Sequence, residues 1–582
     1  MDLLGGSKLL GRGRRIHNHI KETARQSILF GQRDRIDAME HSRLAAVMNR
    51  VHPVENTIGA MGKSGILGWL YRYAADLCVA PVRSLLYLLL PLLGLLAVRM
   101  MVAGRWLMVG GLLLTAGICF LLFSGKDRLV DWLRGSLIGR YVPFPEGEVH
   151  RSVTVYLYVA GTVGGIVGWI FGVVLGVAAA VLLAAVPIVF SIPPMVVTCA
   201  LFALLPVLGT SLCWGLSILL VVCYFFARAF GTQKGRPIDG VDLLLMIFPI
   251  FCVVSAAFSF DRVDSVKVVF MWLGLFACVP FVRRVIDCRA RLAAALWSFT
   301  AGAVASGLYG LFQYFSGMVN TTWTDTALFD DIQLRVYSTF ANPNVYGEFL
   351  LIALPLVAGF ALYCTGWKRW VLLAADLLLM VNMVMTYSRG CYVGIALTAL
   401  VFMWHFSKKW TVAALALGVP LAILVMPQSV VNRILSIGNM EDSSTSYRMM
   451  IYIGTLLMLV HYWMGGVGIG EKAFNVIYPY YALSGIIAPH SHSLFFQMAV
   501  SFGVMGLIYL LVLWFTYQRR MVYARKNTSA EVRPLMLGFG AVFWGLMVQS
   551  AFDYTWYNYR VFQLFWLVIV LGFAAAEKEK KQ

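Results

Sequence analysis

The chain has 582 residues, 60% hydrophobic and 13% charged, with a net charge of +19 and a mean hydropathy of +0.77. Soluble domains carry about 25% charged residues, so a string of soluble domains is excluded and lipid is the solvent for most of the fold. The positive charge collects between apolar runs, as in cytoplasmic loops, and no motif points to nucleic acid.

The expected fold is all-α, a polytopic membrane bundle of about 14–16 transmembrane helices, because in lipid each backbone polar group must be satisfied within its own helix. In chain order, residues 1–82 form a basic N-terminal extension on the cytoplasmic side, with Arg12, Arg14, Arg15, Lys21 and Arg25 near its start. Apolar runs of about 20 residues, each long enough to cross a hydrocarbon layer of about 30 Å, follow near 84–100, 106–124, 153–170, 172–190, 195–209 and 211–229. Further runs lie near 240–258, 264–282, 291–316, 345–365, 369–387, 391–405, 410–426, 494–517, 533–552 and 561–576. Residues 83–235 are expected as additional N-terminal helices and 236–426 as the core bundle. An external loop at 427–493 is expected to carry the catalytic residues, and 494–582 the last helices and the tail.

Orientation follows from the connections. Arg283, Arg284, Arg289 and Arg291 share one, Lys368 and Arg369 another, Lys408 and Lys409 a third, and Arg519, Arg520, Arg525, Lys526 and Arg533 a fourth; Lys578, Lys580 and Lys581 close the chain. This alternation puts both termini in the cytoplasm. Two long loops then face outward. One, 317–344, carries Asp325, Asp330, Asp331 and Arg335; in the other, 427–493, Met449–Trp463 is expected as a surface helix. The 10 cysteines lie mostly inside apolar runs and show no paired spacing. They suit packing, and neither a metal nor another cofactor is implied.

Three groups on the outer side suit chemistry. Arg389, in Tyr387-Ser388-Arg389-Gly390, sits at the outer end of a run, on the side depleted of arginine; burying it costs about 2.5–3.5 kcal/mol, so a partner is expected. Arg448 follows Ser444, Thr445 and Ser446, which are expected to cap the next helix; a helix start with an arginine beside it suits a phosphate. His490 and His492 stand just before the run at Leu494, where an imidazole can take a proton near neutral pH. Arg335 to Asn344, ending in Asn342-Pro343-Asn344, carries turn and cap residues. Asp261 and Asp264 lie in a short outer turn.

Taken in order, these pieces resemble the O-antigen ligase and polymerase superfamily. The matching pieces are Arg335 to Asn344, then Ser388-Arg389-Gly390, then Ser446 with Arg448. The glycine-rich run Gly465, Gly466, Gly468 and Gly470 follows, then Phe474 to Pro479, and His490 with His492 ahead of an apolar helix. The likeness covers roughly residues 240–570; Ser493 stands where the family usually has Asn. The resemblance implies a metal-independent glycosyltransferase whose donor is a polyprenyl-diphosphate-linked glycan and whose acceptor is a hydroxyl on another glycan or lipid. Arg389 and Arg448 would hold the diphosphate and His492 would act as base, in one inverting displacement. Arg335, Asn344, His490 and Ser446 would contact substrate, and membrane lipids would surround the bundle. Two other functions fit many spans with a few charges: a transporter or flippase, whose charged site would lie near mid-membrane, and a metal-dependent glycosyltransferase using Asp261 or Asp264.

Overall fold

The computed structural model describes Tyr73, Ala80, Gln233, Leu424 and residues 82–123, 152–190, 192–229, 235–318, 334–418, 420–421, 428–436 and 443–578. The expected N-terminal extension, apart from Tyr73, Ala80 and Val82, lies outside these residues, as do Asp325, Asp330, Asp331, Lys580 and Lys581.

Among the described residues every regular element is helical. The main helices are α1 (Leu86–Val102), α2 (Trp106–Phe123), α3 (Ser152–Phe171), α4 (Val173–Phe190), α5 (Pro194–Leu204), α6 (Thr210–Ala229), α7 (Gly240–Ala257), α8 (Arg262–Phe276), α9 (Val279–Val285) and α10 (Arg289–Phe315). Then come α11 (Pro343–Tyr363), α12 (Trp367–Met385), α13 (Arg389–Phe406), α14 (Lys408–Ala413), α15 (Gln428–Leu435), α16 (Ser443–Tyr462), α17 (Glu471–Ile477), α18 (Leu494–Lys526), α19 (Arg533–Phe552) and α20 (Tyr559–Lys578). Among the described residues twelve helices are long and apolar enough to cross a membrane, and α4 and α5 contain shorter apolar stretches. The 19-residue α12 is as long but carries Lys368, Arg369 and Asp376.

Fifteen of the sixteen expected spans therefore coincide with helices. Residues 410–426 do not form one regular helix among the described residues: α14 gives way to a π-helical turn at Ala414–Gly418. Ser429 Oγ lies 3.3 Å from Tyr387 Oη, at the opposite end of α13 from Lys408. The expected surface helix in the second long loop is a continuous 20-residue α16. Ser444 to Ser446 fall inside its first turn, not ahead of it.

The chain divides into two compact units. In the unit of residues 54–235 and 274–303, α1, α3 and α4 meet through small residues. A Cβ on Gly161 would lie 2.1 Å from Leu88 O, and one on Gly176 2.4 Å from Gly168 Cα. Close backbone approach of this kind drives helix association where lipid removes the hydrophobic difference. α2 turns its apolar side chains outward, Leu107 being 93% exposed, which suits lipid and not water.

In the other unit, α11, α19 and α20 are the most buried spans. α11 meets α19 at Gly359 and Gly538, and α13 meets α19 at Gly394 and Gly545. An aromatic cluster of Phe248, Trp272, Trp556, Phe562 and Trp566, with Trp272 and Phe562 stacked at 4.6 Å, pins the loop between α19 and α20.

α18 is broken at Gly503 (φ 72°, ψ −177°). The glycine-rich turn enters the gap: Val467 N–H donates to Val500 O (2.7 Å) and Val504 N–H donates to Trp463 O (2.7 Å). The backbone groups freed by the break are thus paired inside the protein, as a kink within lipid requires. A Cβ at Gly503 would lie 1.9 Å from Met464 O, and one at Gly466 (φ +70°) 2.4 Å from Val500 O. Gly503→Ala is expected to cost at least about 1–3 kcal/mol from backbone strain alone, read as a lower unfolding temperature of the purified protein. Gly111→Ala, in α2 with open space around it, should be neutral or slightly stabilising; equal behaviour of the two variants would refute the inserted turn.

Candidate active site

α11, α13, α18 and α20 all begin at one end of this unit and α12 and α19 finish there. The connections rich in Lys and Arg lie at the other end. Arg335, Asn344, Arg389, Arg448, His490 and His492 gather at the first end, in two neighbouring groups.

The first group centres on Asp553, just after α19. Its Oδ1 is 3.4 Å from His492 Nδ1 and its Oδ2 is 3.4 Å from Arg448 Nη2. Burial alone would raise this carboxyl's pKa, but Arg448 and His492 outweigh it and hold the group well below the usual carboxylate range, so it is ionised. The loop is fixed on both sides: Leu494 N–H donates to Asp553 O, and Asp553 N–H to Gln549 O. Tyr452 Oη donates to His492 O at 3.1 Å, tying α16 to the histidine. His490 Nδ1 accepts the His492 backbone N–H at 3.1 Å, and its ring packs against Tyr557 at 4.6 Å. Burial, then His492, lowers the His490 pKa to about 3. His490 is therefore a neutral ring with its proton on Nε2, and its observed contact orients the His492 backbone.

The second group is cationic. Arg335 is buried and donates through Nε to Thr386 O (2.9 Å) and through Nη2 to Asn344 Oδ1 (2.9 Å). Burial, then Arg433, lowers its pKa, and Arg389 acts in the same direction, so three guanidinium groups share one field. Arg389 Nη1 donates to Ser436 O at 3.3 Å, and Arg433 Nε to Tyr387 O at 3.3 Å. Asn342 Oδ1 accepts Asn344 N–H at 2.8 Å with Pro343 at the first helical position, a cap that starts α11. One turn along α11, Glu348 Oε1 accepts from Gln549 Nε2 at 3.3 Å. Asp553 and Arg448 act electrostatically on this carboxyl, so α11 has one group on each side of the site.

Four non-glycine residues among those described have left-handed φ: Ser338, Ala341, Tyr387 and His492. All four lie in these loops. Such strain costs on the order of 1–3 kcal/mol each and clusters at functional sites. Ser446, in the first turn of α16, is half-buried two residues before Arg448. Asp261 and Asp264 serve local structure: Asp261 Oδ1 accepts Asp264 N–H, and Asp264 Oδ2 accepts Lys472 N–H.

Sequence reasoning passed over Asp553, Glu348, Arg433 and Arg560. Asp553 is the single acid between Arg533 and Ala576, a signal that was available. Glu348 is an ionisable group inside a span, which by itself marks a candidate site. Arg560, buried, donates to Thr339 O at 2.6 Å and lies over the Phe340 ring, bracing the loop of Arg335.

The fold and this end of the bundle define a multi-pass helical membrane protein with histidine, carboxylate and clustered arginines at helix ends, not halfway along the spans as in many transporters. Residues 374–511 match the family described as O-antigen ligase. This match supports membership of the O-antigen ligase and polymerase superfamily and, in general terms, a function of the membrane glycosyl-transfer type. The matched segment includes Arg389, Arg448, His490 and His492 but neither Arg335, Asn344 nor Asp553. No curated protein matches the chain.

Proposed function

We propose that the protein transfers a glycan from a polyprenyl-diphosphate carrier to an acceptor hydroxyl on the outer face of the membrane, without a metal and with inversion. The observation that carries this reading is the chain Arg448–Asp553–His492. A carboxylate beside Nδ1 holds the proton there and leaves Nε2 as the base, the role such an acid plays in a catalytic triad. His492 Nε2 takes the acceptor's O–H proton as that oxygen bonds to the anomeric carbon. The bond from that carbon to the diphosphate oxygen breaks, and the electron pair leaves with the carrier diphosphate.

The leaving group is already a stable anion and needs no strong acid; it needs fixed positive charge. Arg389 and Arg335 supply it together with Arg433, and Arg448 approaches from the His492 side. Asn344 and Ser446 contact substrate at the rims, and His490 is assigned to orient His492. The loop 427–493 acts as the external catalytic segment, between the core bundle 236–426 and the closing helices 494–582. The termini are cytoplasmic in this reading, which accords with basic connections at the far end.

The test is incubation of purified protein with a polyprenyl-diphosphate oligosaccharide, following release of carrier diphosphate and the anomeric configuration of the product. Inverted product in the presence of EDTA is expected; retained configuration, or transfer that needs added magnesium or manganese, would overturn the mechanism. In the same assay Arg389→Lys should lose about tenfold or more, because an ammonium cannot form the two-pronged contact. Full activity with Lys would mean that Arg389 acts only as a charge.

A further inference from the structure

At the end of the same unit opposite the candidate active site, three helix ends surround a cavity. It has a volume of about 440 Å³ and is lined by His405 and Phe406 from α13, Arg525 and Lys526 from α18, Ala530 and, at the start of α19, Arg533, Pro534 and Leu537. Cavities of this size hold small molecules. Three of the lining side chains are cations. Among the described residues none of the three makes an ion pair, and the only hydrogen bond from any of their side chains is Arg533 Nε to Thr528 O at 3.3 Å. Arg525 and Arg533 repel one another, and the positive end of α19 adds to the field. His405 has Nδ1 2.8 Å from Val401 O, so it donates there and keeps Nε2 for another partner. Like charges converging on a hollow without a carboxylate are stabilised by a bound anion.

The position identifies the anion's source. α13 is 18 residues long, about 27 Å, and starts at the active-site end. Its last turn, with Trp404 and Phe406 about half exposed, therefore lies at the opposite edge of a hydrocarbon layer of about 30 Å. Phe406, Pro534 and Leu537 form an apolar side to the cavity beside its cationic side.

We propose that this cavity binds the phosphate headgroup of an anionic membrane lipid, with Arg525, Lys526 and Arg533 on the phosphate and the apolar side against the glycerol and first acyl carbons. Basic pockets between spans on the cytoplasmic side bind such headgroups. The site is separate from the glycosyl-transfer reading and does not depend on it.

The test uses the full chain in nanodiscs of phosphatidylglycerol or phosphatidylcholine, with lipid retained after detergent extraction counted by native mass spectrometry. Retention of phosphatidylglycerol over phosphatidylcholine is expected. Each cation near an anionic surface contributes about fivefold, so Arg525→Ala/Lys526→Ala/Arg533→Ala together should weaken retention about a hundredfold. Equal retention of the two lipids, or no loss in the triple variant, would overturn the proposal. So would occupancy by inorganic phosphate with no lipid retained, which would make the source a free anion. If the triple variant is not recovered, Lys526→Gln, at an exposed side chain, should still lower retention about fivefold, and an unchanged value would count against the site.

Discussion

His492→Ala is expected to lower glycan transfer by about 10²–10⁴-fold, the usual size of a general-base contribution, while the protein still inserts and purifies. The acceptor hydroxyl is a weak nucleophile, and the Asp553-paired imidazole is the proposed group that removes its proton. Because His492 has φ 49°, replacement by Ala also changes the loop's backbone preference. His492→Asn separates the two effects, since asparagine tolerates left-handed φ and cannot serve as base. Both variants should fall together. Retention by His492→Asn of more than about a tenth of the wild-type rate, when a base is worth at least a hundredfold, would remove His492 from the mechanism.

Asp553→Asn should produce a loss of similar scale, about 10²–10⁴-fold in kcat, although Asp553 acts through His492 and does not touch the reacting atoms. An amide no longer fixes the imidazole tautomer and no longer stabilises the imidazolium that forms. It also leaves Arg448 without its 3.4 Å partner, so some weakening of donor use is expected alongside. The decisive measurement is the double variant. If Asp553 works by positioning His492, adding Asp553→Asn to His492→Ala should cost little more than the single change. Multiplicative losses would mean that Asp553 has a separate role, through Arg448 or through the stability of the loop.

How much of this was legible beforehand differs by residue type. Arg389, Arg448 and His492 were conspicuous because a charged or titratable group at the end of an apolar run has few reasons to be there. Asn342-Pro343-Asn344 announced a helix start, and α11 begins there. Asp553 is inconspicuous because its loop between α19 and α20 is short, whereas long loops are the ones that suggest function. Arg433 lies on an eight-residue amphipathic helix whose sequence resembles any surface segment. The break at Gly503 was hidden within a long apolar run, since nothing local reveals that a turn some forty residues upstream will fill it.

The sequence alone determined the solvent, the number of crossings to within a few, and the basic and non-basic ends. Those follow from transfer energies summed residue by residue, which need no knowledge of neighbours. Only the tertiary structure decided that one carboxylate from the α19–α20 loop stands between an arginine on α16 and a histidine before α18. It likewise brought Arg335, Arg389 and Arg433 into one field. Pairings of charge depend on distance and on the local dielectric, and both are set by packing between segments far apart in the chain.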